Sequence, residues 1–85
     1  MYYTYVLYSK KLDKFYIGYS RNLKRRIKEH LGGRTFAGSR MKDFSLVYYE
    51  ACVSVEDAMD REKQLKTGFG RGYLRKRLKY SILKG

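Results

Sequence analysis

Glu62 stands on the side of a helix where an acid is least expected. Residues 54–66, SVEDAMDREKQLK, read as an amphipathic helix. At about 100° per residue, Val55, Ala58, Met59 and Leu65 share one face, and Glu62 projects near its middle. Such a face packs on the core, and a carboxylate carried there needs a cationic partner or a metal. Two readings stay open: an ion pair with one of the 20 Lys and Arg residues, or a ligand for a divalent ion. Arg26 and His30 form a second combination. Spaced i, i+4, they lie one turn apart on one side of a helix whose stripe is Leu23, Ile27 and Leu31. His30 falls on the flank of that stripe and Arg26 at its border, whereas Lys24, Arg25 and Lys28 point elsewhere. Singly, they read as a boundary histidine and an arginine lying over the core.

The elements that must position these groups follow from periodicity. Tyr2–Tyr8 and Phe15–Tyr19 are rich in aromatic and branched residues and predict strands, joined by the short polar run 9–14. Ser20 or Asn22 can cap a helix that runs to about Leu31 and stops at Gly32-Gly33. Residues 32–43 predict a basic loop, and Ser45–Ala51 a third strand. Ser54 is placed to cap the helix of Glu62, with Glu56, Asp57 and Asp60 near its positive end. The stretch 67–70, TGFG, is expected to break that helix. A last helix, about Arg71 to Leu83, would bury Leu74, Leu78 and Ile82. The order ββαβαα predicts an α+β fold, a three-stranded and largely antiparallel sheet flanked by helices.

Composition narrows the partners. The 85 residues carry a net charge of +12, and no proline-rich or low-complexity stretch suggests a linker, so one domain is expected. A pI near 10 is the electrostatic footprint of a nucleic-acid binder. The charge is spread along the chain, and the helices look core-packing, which argues against an anionic membrane surface. No apolar run approaches the roughly 18 residues of a membrane span, and the start MYYTY lacks the marks of a signal peptide. The single cysteine, Cys52, fits a reducing cytoplasm and reads as an inert strand-end residue. Of ten tyrosines, Tyr2, Tyr8, Tyr48, Tyr49 and Tyr80 are assigned to packing or surface.

Four elements in order then form a pattern: Tyr3-Thr4-Tyr5, Tyr16-Ile17-Gly18, Arg26 with His30, and Glu62 in AMDREKQLK. At these spacings the chain resembles the GIY-YIG nuclease family over nearly its whole length, in the manner of its small standalone bacterial members. The first element is relaxed from Gly-Ile-Tyr, and the only asparagine, Asn22, lies upstream of the glutamate, where some members carry one downstream.

The resemblance implies a metal-dependent endonuclease that hydrolyses DNA phosphodiester bonds, with branched or damaged DNA and pathways of repair or recombination within its range. RNA stays open as a substrate. Glu62 would hold a single Mg²⁺ or Mn²⁺, because it is the one acid expected to face inward. Arg26 would bind the scissile phosphate. Tyr5 or Tyr16 would be the base, favoured as phenolate by the basic surroundings, with His30 as a proton relay. Gly18 would leave room beside them for the phosphate backbone. Arg34, Arg40, Lys42, Lys63, Lys66, Arg71, Arg75 and Arg77 are candidates for contacts to the nucleic-acid backbone, which give affinity without sequence information. With no recognition domain, specificity would call for a homodimer or a protein partner. Two rival readings are a non-catalytic, basic nucleic-acid-binding protein on the same fold, and a structural protein such as a ribosome-associated one.

Overall fold

Alternation along the first strand organises the molecule. In the computed structural model, which describes residues 1–31 and 43–84, β1 (Tyr2–Ser9) pairs antiparallel with β2 (Lys14–Ser20) and with β3 (Phe44–Cys52). The order β2-β1-β3 puts β1 in the centre. It is accordingly buried from Thr4 to Ser9, and its side chains feed both faces of the sheet. Val6 joins Ile17, Leu65, Leu74 and Leu78 in one cluster, and Tyr5 and Leu7 join Leu23 and Ile27 in another. The second cluster is covered by α1 (Leu23–Leu31) and the first by α2 (Val55–Leu65) and α3 (Gly68–Arg77). A final short helix, α4 (Lys79–Lys84), adds Ile82. The α+β architecture is the one expected. Among the described residues no helix is long and apolar enough to cross a membrane.

The turn between β1 and β2 is held from outside. Asp13 has φ 51°, a left-handed conformation that Asp tolerates better than most residues. Tyr8 Oη donates to its Oδ1 at 2.6 Å, and Arg75 Nη1 donates to the same atom at 3.1 Å. These two contacts, Tyr8 first, hold the Asp13 carboxyl below its ordinary range. Arg75 also lies 5.3 Å over the Phe15 ring. Of the expected backbone-contact residues, Arg75 is therefore a clamp on the hairpin, its guanidinium already engaged.

The helix ends differ from expectation in three places. Asn22 Oδ1 accepts from Arg25 N at 3.0 Å and caps α1, while Ser20 Oγ accepts from Asn22 N, so both cap candidates act in series. Ser54 stands at the N-cap position of α2 but makes no side-chain cap bond; its hydroxyl donates to Glu56 Oε1 at 3.0 Å instead. The stretch 67–70 does break α2, yet it also starts the next helix: Thr67 Oγ1 accepts from Gly70 N at 3.1 Å. The single last helix expected from Arg71 to Leu83 is in fact two, because the backbone at Leu78 leaves helical geometry at φ −111°, ψ 23°. Burial of Leu74 and Leu78 beside Leu65 holds Gly68–Gly70 in α3 against their low helix propensity.

Gly70 is demanded by packing, since a Cβ there would fall into the backbone of Gln64 and Leu65. Gly72 is not, because a Cβ there would meet open space. Gly72→Ala is therefore expected to stabilise the protein by about 0.5–1 kcal/mol, read as a higher midpoint in urea unfolding. An unchanged or lower midpoint would mean that the position carries a contact the fold does not show.

Candidate active site

Five of the expected residues converge on one cleft of about 400 Å³, and a sixth is bonded behind it. Tyr5, Tyr16, Gly18, Arg26 and Glu62 line it. β1 and β2 deliver the tyrosines and the glycine, α1 delivers Arg26, and α2 brings Glu62 from the other layer. Thr4 Oγ1 donates to Ala58 O at 2.9 Å, tying α2 to the central strand one turn before Glu62.

Behind the cleft lies a buried polar pair. Tyr5 is 1% exposed and His30 is 1% exposed, and Tyr5 Oη sits 3.0 Å from His30 Nε2. His30 is thus a fully interior residue, deeper than the flank position expected. Its Nδ1 has no hydrogen-bond partner among the described residues, an arrangement uncommon in folded proteins. Burial pushes the Tyr5 phenol above its ordinary pKa, while Arg26 pulls it the other way. Burial, and then the Arg26 charge, push the His30 imidazole below its ordinary 6.5. At neutral pH the interior pair is therefore a phenol beside a neutral imidazole.

That neutrality has a measurable consequence. The unfolded chain takes up a proton at His30 as pH falls below about 6.5, whereas the folded chain resists it until a lower pH. Stability is full above that value and is lost as the pH falls toward the folded pKa. Thermal midpoints are expected to drop between pH 7 and pH 5, with His30→Gln flattening the slope. The window of Asp13 lies below 3.8 and does not overlap. An identical slope in the variant would place the effect elsewhere.

Gly18 lines the cleft and makes room there for the Tyr5 ring. It sits directly opposite Tyr5 in the β1–β2 ladder. A Cβ at Gly18 would fall 2.6 Å from Tyr5 Oη and 2.8 Å from Tyr5 Cζ. The glycine therefore accommodates the Tyr5 ring, and any side chain there would push the phenol off His30. Tyr16 completes the cluster, half-buried, with its ring centroid 5.1 Å from His30 and 6.5 Å from Tyr5.

Glu62 has 18% of its side chain exposed, and Lys66 Nζ lies 3.5 Å from its Oε2. An ion pair is thus present, but Lys66 is 55% exposed. An i, i+4 pair of this kind is worth about 0.3–0.5 kcal/mol, too little to explain an acid on an inner face. By contrast, Arg61 makes a multiple contact to Glu50 at 3.0–3.1 Å and crosses the Tyr73 ring, joining β3 to the helices. That pair is structural.

Sequence reading missed two charged groups at the cleft, which Tyr19 and Ser20 also line. Glu29 lines it, so Glu62 is not the only acid facing the site, and its Oε1 lies 3.8 Å from Arg26 Nη1. The i, i+3 spacing from Arg26 was the available signal. Arg25, expected to point away, also reaches the rim, since α1 begins right after the end of β2 and its first turn borders the cleft. Of the backbone-contact candidates, Lys66 and Arg71 line a groove that shares Tyr16 with the cleft. Lys63 is exposed, and Arg77 lies 5.9 Å over the Tyr48 ring. Arg34, Arg40, Lys42 and the loop expected over 32–43, apart from residue 43, lie outside the described residues, as does the side chain of Leu31.

The donor set suits a hard cation that keeps most of its shell as water. Among the described residues no group of three or more His, Cys, Asp and Glu is gathered as a metal cage, but two carboxylates, Glu62 and Glu29, face one open cleft. Mg²⁺ is commonly held by one or two carboxylates plus substrate oxygens.

Comparison with curated proteins and with solved structures returned no match. The model of the GIY-YIG catalytic domain matches residues 1–78, which hold every group of the cleft. The chain therefore belongs to the GIY-YIG family, whose members are nucleases that act on DNA and generally depend on a divalent metal.

Proposed function

We propose that the 85 residues act as one catalytic domain, an endonuclease that hydrolyses DNA phosphodiester bonds at the Tyr5–Arg26–Glu62 cleft with one Mg²⁺ or Mn²⁺. The observation that carries this reading is the Tyr5 Oη to His30 Nε2 contact at 3.0 Å beside an inward carboxylate. A fold that merely bound DNA would gain nothing from this pair.

Glu62, with Glu29 nearby, would hold the ion, whose chemistry is Lewis-acid stabilisation of the phosphate and leaving oxygen. Arg26 is kept in its charged form, chiefly by Tyr5. It pairs with the non-bridging oxygens as negative charge builds on them. Water attacks phosphorus and the P–O ester bond breaks. Tyr5 oxygen takes the proton from water while the phenolic proton passes to His30 Nε2; a second water protonates the leaving alkoxide. The proton acceptor at hand favours Tyr5 over Tyr16 as the base, since burial would otherwise leave Tyr5 inert. Tyr16 packs against both rings and faces the phosphate.

The test is cleavage of supercoiled plasmid and end-labelled branched DNA by the purified protein with Mg²⁺ or Mn²⁺. Nicking that stops on chelation supports the reading. Tight binding with no cleavage under any metal would turn it into the binding-protein alternative.

A further inference from the structure

Phe69 is 94% exposed, the most exposed of the large apolar side chains among the described residues. A lone exposed apolar residue is ordinary, but the surroundings of this one are not. It stands in the first turn of α3 with Gly68 before it and Gly72 beyond, and a Cβ at either glycine would meet open space. Gly72, inside the helix, lowers its stability without serving its packing. The ring is thus flanked by bare backbone on an open shelf of about 750 Å³ that also includes Tyr73 and Lys76. Lys76 is the cation that lines the shelf, while Arg71, two residues on from Phe69 and so on the other side of α3, lines with Lys66 the groove that shares Tyr16 with the active-site cleft.

We propose that Phe69 is a stacking platform for an unpaired DNA base, so that the preferred substrate carries a single-stranded segment. An exposed aromatic ring among basic residues is the arrangement that binds single strands: the cations follow the backbone and the ring takes the face of any base. Paired bases are already stacked and cannot offer that face. The glycines let a flat ring approach from either side of Phe69. The inference rests on the nuclease reading for its substrate, but it is tested by binding without metal, so the two can fail separately.

The chain has no tryptophan, so Phe69→Trp installs a single fluorescent reporter on the platform. In EDTA, oligothymidylate is expected to quench it, and blunt duplex is not, with binding of each followed independently by anisotropy of labelled DNA. Phe69→Ala is expected to weaken single-stranded and forked DNA by about tenfold, the size of one lost base stack, and to leave duplex affinity and the salt dependence unchanged. Gly72→Ala should weaken single-stranded binding while raising stability. An unquenched reporter at saturation, or equal losses for single strands and duplex, would overturn the platform. So would a Phe69-dependent dimer in sedimentation, which would assign the ring to a second copy. Quenching without any cleavage would sink the nuclease reading alone; cleavage without quenching would sink the platform alone.

Discussion

Glu62→Gln is expected to cleave DNA about a thousandfold more slowly than the parent protein while binding it as well or better. A Lewis acid supplies several kcal/mol of charge stabilisation in such a reaction, and each 1.36 kcal/mol is a factor of ten in rate. Glutamine keeps the shape of the side chain, and the pair it loses with the exposed Lys66 is weak, so the fold should be retained, as circular dichroism would report. Removing a negative charge from the cleft lowers its repulsion of phosphate, hence the undiminished binding. Glu29 lines the same cleft and can keep a residual foothold for the ion. Equal nicking by parent and variant would locate the activity in another site or another protein.

Tyr5→Phe is the second large effect. Loss of a positioned base costs about 10²–10⁴ in rate, and Tyr16→Phe should cost far less, because no hydrogen bond of the Tyr16 hydroxyl is present among the described contacts. The Tyr5 variant also leaves His30 without its partner. Loss of that buried hydrogen bond costs about 1–3 kcal/mol, and Nδ1 has no partner among the described residues to offset it. The thermal midpoint should fall accordingly, yet rates measured well below it still report the chemistry. If Tyr16→Phe proved the more damaging and Tyr5→Phe nearly neutral, the base would be Tyr16 and the interior pair a structural one.

Which parts of this site were legible before the fold was known follows from the range over which each cause acts. Arg26, His30 and Glu62 could be placed because helix geometry converts spacing directly into direction. The strands likewise announced themselves by aromatic and branched runs. The role of Gly18 could not be read, because it depends on the cross-strand register that sets it opposite Tyr5, a relation 13 positions long that no local pattern contains. The start of α3 in a glycine stretch was hidden for a similar reason. Local propensity disfavours it, and only the packing of Leu74 and Leu78 against Leu65 outweighs that preference. Glu29 was obscured by neighbours: among basic residues on α1 it looked like a solvated acid, although its distance from Arg26 in sequence was the informative one.

The bond from Thr4 to Ala58 gives the two halves of the active site a common mounting. Thr4 and Tyr5 are consecutive, so one peptide unit hangs the helix of Glu62 on one face of the sheet and the interior phenol on the other. A single-residue insertion or deletion before Tyr5 in β1 would exchange those faces, sending the phenol toward α2 and the anchor toward α1. The spacing between the proposed metal ligand and the proposed base is consequently digital. It can be refined by substitution, but it cannot drift by degrees, and an insertion is better borne at places such as the hairpin turn at 10–13, outside the β1–β2 register that indexes Tyr5.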